Sequence, residues 1–279
     1  MSRLPNLLVI GAAKCGTSSL HYYLNLHPDI VMSRTKELYF FIESRNWHRG
    51  VDWYSSQFDE NAKIAGETSP GYTLYPRKKN VPEKIHSLIP DTKLIYIIRD
   101  PIERTKSSYM MNYAAGVENR PVDEALADLN NNPLIFPGMY FMQIQQYLPF
   151  FSQSQLLVVT LEDLRKDPQT TLQKIFSFLL VDDSFYSEEF IKIINPSKMR
   201  RRKNKIGMIL RKISETKFAE VFPVEFRRKI GNIVYIPFSK KIQRPNFDQN
   251  LTEKLKIHFY DDVQQLRAFT GLRLEDWSL

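Results

Sequence analysis

The stretch KLIYIIR, residues 93–99, narrows the fold more than any other in this chain. Its apolar residues run consecutively from Leu94 to Ile98 instead of alternating with polar ones, so a strand built from them buries both of its faces. Such a strand needs cover on each side, which helices packed over a parallel sheet provide. Similar runs occur in LLVIGA (7–12), DIVM (29–32), KIAGE (63–67) and QLLVVTLEDL (155–164). Helical patterns lie between them, near 17–27, 81–88, 101–113, 121–130, 138–150 and 168–180. The alternation predicts an α/β protein whose central, mostly parallel sheet carries helices on both faces. A final amphipathic helix sets Leu251, Leu255, Phe259, Val263, Leu266 and Phe269 on one side and stops at Gly271. Residues 182–247 show no clear pattern. A length of 279 residues is enough for one large domain, 1–279, with a substantial core.

The first apolar run leads into VIGAAKCGTSSL, residues 9–20, where Gly11 and Gly16 are separated by four residues. Strand, glycine-bearing loop and helix in that order make a P-loop-like anion site, because the amides and dipole of the helix start face the loop. Lys14 adds a point charge, and the hydroxyls of Thr17, Ser18 and Ser19 add donors. The lysine is displaced, however. A nucleotide triphosphatase carries it directly after the second glycine, and here it lies inside the loop. Cys15, also in the loop, is open to acidification by the helix start, although no Cys/His/Asn set accompanies it.

A Mg²⁺-dependent kinase or NTPase would also need a strand-end acid, and Asp100 follows the KLIYIIR strand. In RDPIERTKSSY that residue has a plainer use: Asp100 caps a helix, Pro101 occupies its first turn, and Glu103 completes an Asp-x-x-Glu capping box. Arg99 then emerges at the carboxyl end of the strand, where open α/β sheets bind ligands, and Ser107 follows nearly two helical turns later. Together they are suited to gripping a second phosphate.

The net charge is +8, and it is concentrated. Lys198, Arg200, Arg201, Arg202, Lys203, Lys205, Arg211 and Lys212 carry eight positive charges in one stretch without an acid. A single patch of this kind fits a compact polyanion better than a nucleic-acid duplex. The one cysteine excludes an internal disulfide framework, and no apolar run reaches 18 residues, so the expectation is a soluble, cytoplasmic chain that engages neither membrane nor nucleic acid. The five histidines show no metal-ligand spacing.

GAAKCGTSSL and IIRDPIERTKSSY, in this order, resemble the two donor motifs of the sulfotransferases that use 3′-phosphoadenosine 5′-phosphosulfate (PAPS). The likeness extends to the branch containing the heparan sulfate sulfotransferase domains and related bacterial enzymes, through LHPDIVMSRTKELYFF, GVDWYSSQF, GETSPGY, GMYFMQIQQYLPFF, LEDLRKDP and FTGLRLEDW. The resemblance implies metal-free in-line transfer of a sulfuryl group to a hydroxyl or amine of a saccharide or small metabolite, leaving adenosine 3′,5′-bisphosphate (PAP). It implies that Lys14 bridges the leaving oxygen and the sulfuryl group. Cys15, Gly16, Thr17, Ser18 and Ser19 would surround the 5′-phosphate, and Arg99 and Ser107 the 3′-phosphate, helped by Lys198, Arg200, Arg201 and Arg202 as a group.

For the acceptor, the resemblance implies Glu37 as base, with His48 as a lower-ranked alternative. Trp53 and Tyr54 are candidates for a cleft wall or for core packing, and Glu67 for a hydrogen bond near the donor or acceptor. The chain departs from the branch here: Tyr39 stands where a histidine is common, and Thr68 where a lysine is common before the Ser-Pro pair.

Overall fold

The structure is a computed structural model that describes residues 3–192, 194, 201–203, 239–243 and 245–279. The chain forms two compact units. The first comprises Met1–Thr105, Asp128–Asn195 and Gln249–Leu279, the second Lys106–Ala127 and Pro196–Asp248.

The first unit is built on a five-stranded sheet of order β2-β3-β1-β4-β5. Its strands are β1 (Leu7–Gly11), β2 (Ile30–Met32), β3 (Ile64–Thr68), β4 (Lys93–Ile98) and β5 (Leu156–Thr160), and every pairing is parallel. Each expected strand is present. The central β1 registers Leu7 against Gly66 of β3 and against Lys93 of β4. Alternate residues of the apolar runs face opposite layers. Leu7, Val9, Ile95 and Ile97 join a buried cluster with Leu20 and Leu24 of α1 (Thr17–Leu24) and Leu172, Ile175 and Phe176 of α8 (Pro168–Leu179). Tyr96, on the opposite pleat, meets Tyr140 of α6 (Tyr140–Gln145) with ring centroids 5.9 Å apart. Burial of each such side chain contributes roughly 1.5–3 kcal/mol before entropy is subtracted.

Several boundaries differ from the expectation. QLLVVTLEDL does not continue as one strand: β5 stops at Thr160, whose hydroxyl accepts the Asp163 amide at 2.9 Å and starts α7 (Leu161–Lys166). The helix expected over 121–130 is only α5 (Val122–Ala125), and that over 138–150 is the short α6. Between β2 and β3 lies α2 (Gly50–Ser55), and before β4 lies α3 (Val81–Leu88). The last helix, α9 (Gln249–Thr270), buries Leu251, Leu255, Phe259, Val263 and Leu266 and ends at Gly271 with φ 71°. It also buries Asp262, whose carboxylate accepts the amides of Phe141 and Met142 at 3.0 and 2.8 Å and so caps α6. Among the described residues no helix is long and apolar enough to cross a membrane.

The helix that opens with RDP is α4 (Pro101–Ala115). In the second unit, β6 (Arg201–Lys203) pairs antiparallel with β7 (Ser239–Lys241). There the Arg202 guanidinium lies 3.9 Å over the Tyr113 ring, and its Nη2 donates to Asn119 Oδ1 at 2.6 Å. Arg201 Nε donates to Ser239 Oγ at 2.9 Å. Ser107 is buried on α4. Lys198 and Arg200 lie outside the described residues.

Candidate active site

From β1 the chain passes out to β2 and β3 on one side and then crosses to β4 on the other, so the order reverses at β1. The carboxyl end of a strand at such a reversal is where open α/β sheets leave a crevice for a ligand. The glycine loop is at this end. The Ala12 amide donates to Ile97 O of β4 at 2.6 Å, and the Cys15 amide closes the turn onto Ala12 O at 3.2 Å. Gly16 then takes φ 86° as the residue before α1, and a Cβ there would come within 2.5 Å of Leu161 Cδ1. Both facts require glycine. No side chain caps α1; the Ser19 amide turns back onto Gly16 O at 3.0 Å, and the Thr17 and Ser18 amides open the helix at the loop. Lys14 holds the left-handed conformation, φ 77°, at the loop's turn.

The hydroxyls at the helix start do not all face the same way. Thr17 and Ser19 are buried, and Ser19 Oγ accepts the Ile194 amide at 3.1 Å, whereas Ser18 is half-exposed. Cys15 is turned inward: its thiol is fully buried, 3.5 Å from the Tyr140 hydroxyl. Burial pushes that thiol up to about 11 against the opposing pull of Arg99. The expectation of an acidic Cys15 is therefore corrected; desolvation outweighs the helix start.

Arg99 reaches the same loop from the end of β4. Its Nη1 donates to Lys14 O and its Nη2 to Glu103 Oε2, both at 3.4 Å, and the Tyr140 hydroxyl donates to its carbonyl at 2.7 Å. Arg99 Nε is buried without a hydrogen-bond partner. A buried guanidinium with long contacts and an unmet N–H is suited to an anion arriving at the loop. Asp100 is fully engaged as a cap. Its Oδ1 accepts the Ile102 and Glu103 amides at 2.8 and 2.9 Å, and its Oδ2 accepts the amide and hydroxyl of Ser278 at 2.7 and 2.6 Å. The expected capping box is half-formed: the Asp100 amide donates to Glu162 Oε1 at 3.2 Å rather than to Glu103. Glu103 instead pairs with Arg99.

On the other side of β1, the end of β3 fixes the segment that carries Glu37. The Glu37 amide donates to Thr68 O at 2.9 Å, and the Tyr39 amide to Ser69 Oγ at 3.0 Å. The Glu37 carboxylate accepts from Lys36 Nζ at 2.8 Å and from the Tyr39 hydroxyl at 2.5 Å. Burial pushes this carboxyl up, but the bonds from Lys36 and Tyr39 and the charges of Lys36 and Lys14 hold it below the usual glutamate value. Lys14 and Glu37 are thus close enough to feel one another. His21, on the first turns of α1, shares a hydrogen bond with Thr68 Oγ1 at 3.0 Å. Burial, helped by the Lys36 charge, holds its pKa down at about 4, so the ring is neutral at pH 7.

The structure thus brings together Lys14, Gly16, Thr17, Ser18, Arg99 and Glu37 at the carboxyl edge of the sheet. His48 is exposed on the 3₁₀ turn Trp47–Arg49, and among the described residues no hydrogen bond or ring contact joins it to the loop. Tyr54 is core, stacked on Phe40 at 4.1 Å, and Trp53 lies under Arg49 at 4.0 Å. Lys36 and His21 are additions that sequence reasoning missed. Lys36 is signalled only by adjacency to Glu37, and His21 only by its place one helical turn after Thr17.

A parallel sheet with a glycine loop at its strand reversal, flanked by Arg99, is the arrangement of a phosphate-loop-like α/β fold. The sulfotransferase domain model matches residues 4–266, and the chain belongs to that family. It is 31% identical over 207 residues to a mouse bifunctional heparan sulfate N-deacetylase/N-sulfotransferase 4, covering 66% of this chain and 23% of that protein. It is also 31% identical over 198 residues to a human heparan sulfate glucosamine 3-O-sulfotransferase 6, covering 66% and 56%. The chain therefore spans about a quarter of the length of the first relative and over half of the second. A sulfotransferase crystal structure from Alicyclobacillus acidocaldarius superposes with a TM-score of 0.69 at 25% identity, covering 99% of this chain and all of that one.

Proposed function

We propose that this chain transfers the sulfuryl group of PAPS to a hydroxyl or amine of a saccharide or small-molecule acceptor, without a metal ion. The observation that carries the reading is Arg99, whose unmet buried N–H lies beside the Lys14 loop while the neighbouring Asp100 is consumed as a cap. Family membership and the two donor motifs support it, as do the names of the heparan sulfate relatives.

PAPS supplies an activated, singly charged sulfuryl group. The first-turn amides of α1 and the hydroxyls of Thr17 and Ser18 hold the 5′-phosphate, and Lys14 stabilises the charge that develops on the bridging oxygen. Cys15 and Ser19 shape the turn more than they face the ligand. Arg99 holds the 3′-phosphate. Ser107, Arg201 and Arg202 are carried for the same phosphate on sequence resemblance, together with Lys198 and Arg200.

Glu37 takes the proton of the acceptor. Its neighbours lower its pKa, so it is ionised and ready at pH 7, yet it is a weak base for a hydroxyl; the proton then moves late, once the oxygen has begun to bond to sulfur. Incubation with radiolabelled PAPS and pools of saccharides and small amines tests the reading. Label should pass to one acceptor class with wild-type chain and in EDTA. Transfer by Lys14→Ala at the wild-type rate would overturn it.

A further inference from the structure

Glu67, on β3, is a carboxylate with no exposure to solvent, and the groups that hold it are hydroxyls. Tyr54 donates to Oε2, and Ser69 and Tyr72 donate to Oε1, the last at 2.8 Å. Burial pushes its pKa up, and these bonds oppose the rise. A carboxylate buried this deeply is tolerated only because hydrogen bonds satisfy it.

Two of the hydroxyls are acceptors as well as donors. The Tyr39 amide donates to Ser69 Oγ at 3.0 Å, and the Phe41 amide to the Tyr72 hydroxyl at 3.5 Å. Each hydroxyl therefore links a main-chain N–H of the 37–41 segment to the same carboxylate. Glu37 and Tyr39 in this segment have φ of 66° and 49°. Non-glycine residues hold such angles only where the surroundings over-determine them. The Tyr39 hydroxyl in turn donates to Glu37 Oε2.

We propose that Glu67 is a positioning residue for sulfuryl transfer: through Ser69 it fixes the Tyr39 main chain, and through Tyr39 it aims the Glu37 carboxylate at the acceptor. The inference rests on reading Glu37 as the proton acceptor. It separates the three hydroxyls by role, since Ser69 links Glu67 to Tyr39, Tyr72 links it to Phe41, and the Tyr54 hydroxyl bonds Glu67 while its ring stacks on Phe40.

The test compares Ser69→Ala, Tyr54→Phe and Glu67→Gln with the wild type, measuring PAP affinity by calorimetry, kcat, and the pH dependence of kcat/KM. Ser69→Ala should lower kcat by about tenfold or more, the usual scale for misplacing a reacting group. PAP affinity should be unchanged, and the acid limb of the profile should move upward as Glu37 loses the Tyr39 bond. Tyr54→Phe should lower the melting temperature but keep kcat and the limb, and Glu67→Gln, where it folds, should follow Ser69→Ala. Equal losses in Ser69→Ala and Tyr54→Phe, or an unmoved limb in Ser69→Ala, would overturn the proposal while wild-type turnover left the broader reading standing. A wild type that fails to bind PAP or to turn over PAPS would instead defeat the broader reading.

Discussion

On the proposed reading, the helix-start amides hold the donor, and the Lys14 ammonium serves the chemistry more than the binding. Replacing it by alanine should lower kcat by about 10²–10³, the scale of one preorganised charged donor. PAP, which has no sulfuryl group, should still bind, and steady-state kinetics beside calorimetry checks both halves. Glu37 gives a prediction of defined sign. A base whose pKa is held below the usual glutamate value stays ionised as pH falls from neutral, so kcat/KM should remain flat until the pH drops below the ordinary glutamate range and only then decline. Removing the cation beside it, with Lys36→Met, should raise that limb. At this scale the sequence was only partly readable. Lys14, Gly16 and Arg99 were legible because glycine spacing and strand position determine their setting. The burial of Cys15 and the partners of Glu67 are not legible, because distant packing sets them, as it brings Tyr54 and Tyr72 to the carboxylate.

Between elements, single polar side chains fasten helices to the sheet. Asp100 caps α4 and also receives Ser278 from the chain's end, so Asp100→Ala should cost about 1–2 kcal/mol or more in urea unfolding. His21 ties α1 to the end of β3. Its folded pKa, about 4, is below the unfolded value of 6.5, so the unfolded chain takes up a proton first as pH falls. Stability should therefore drop from roughly pH 6.5 toward 4, by something on the order of 2–3 kcal/mol from this group, and His21→Gln should flatten that part of the curve. Element types were legible from periodicity, but their ends were not. Thr160 ends β5 by capping α7, a local hydrogen bond that the apolar run QLLVV conceals. Asp262, a charged residue on the buried face of α9, is explained only by the α6 amides it caps.

For the molecule, the parallel order β2-β3-β1-β4-β5 puts the glycine loop and the Glu37 segment on either side of one strand end. The doubly apolar runs announced that sheet, since such strands are stable only between layers of helices. If the chain's own amides and side chains hold the ligand, its binding must stabilise the fold without a divalent ion, by about 2.7 kcal/mol at a hundredfold excess over Kd. The most direct measurement is a calorimetric titration of PAP into the chain in EDTA, repeated with ATP and with Mg²⁺. Saturable binding of PAP in EDTA, weakened by Arg99→Ala and indifferent to Mg²⁺, is the predicted result. Binding of ATP that appears only with Mg²⁺, with none of PAP in EDTA, would contradict the account.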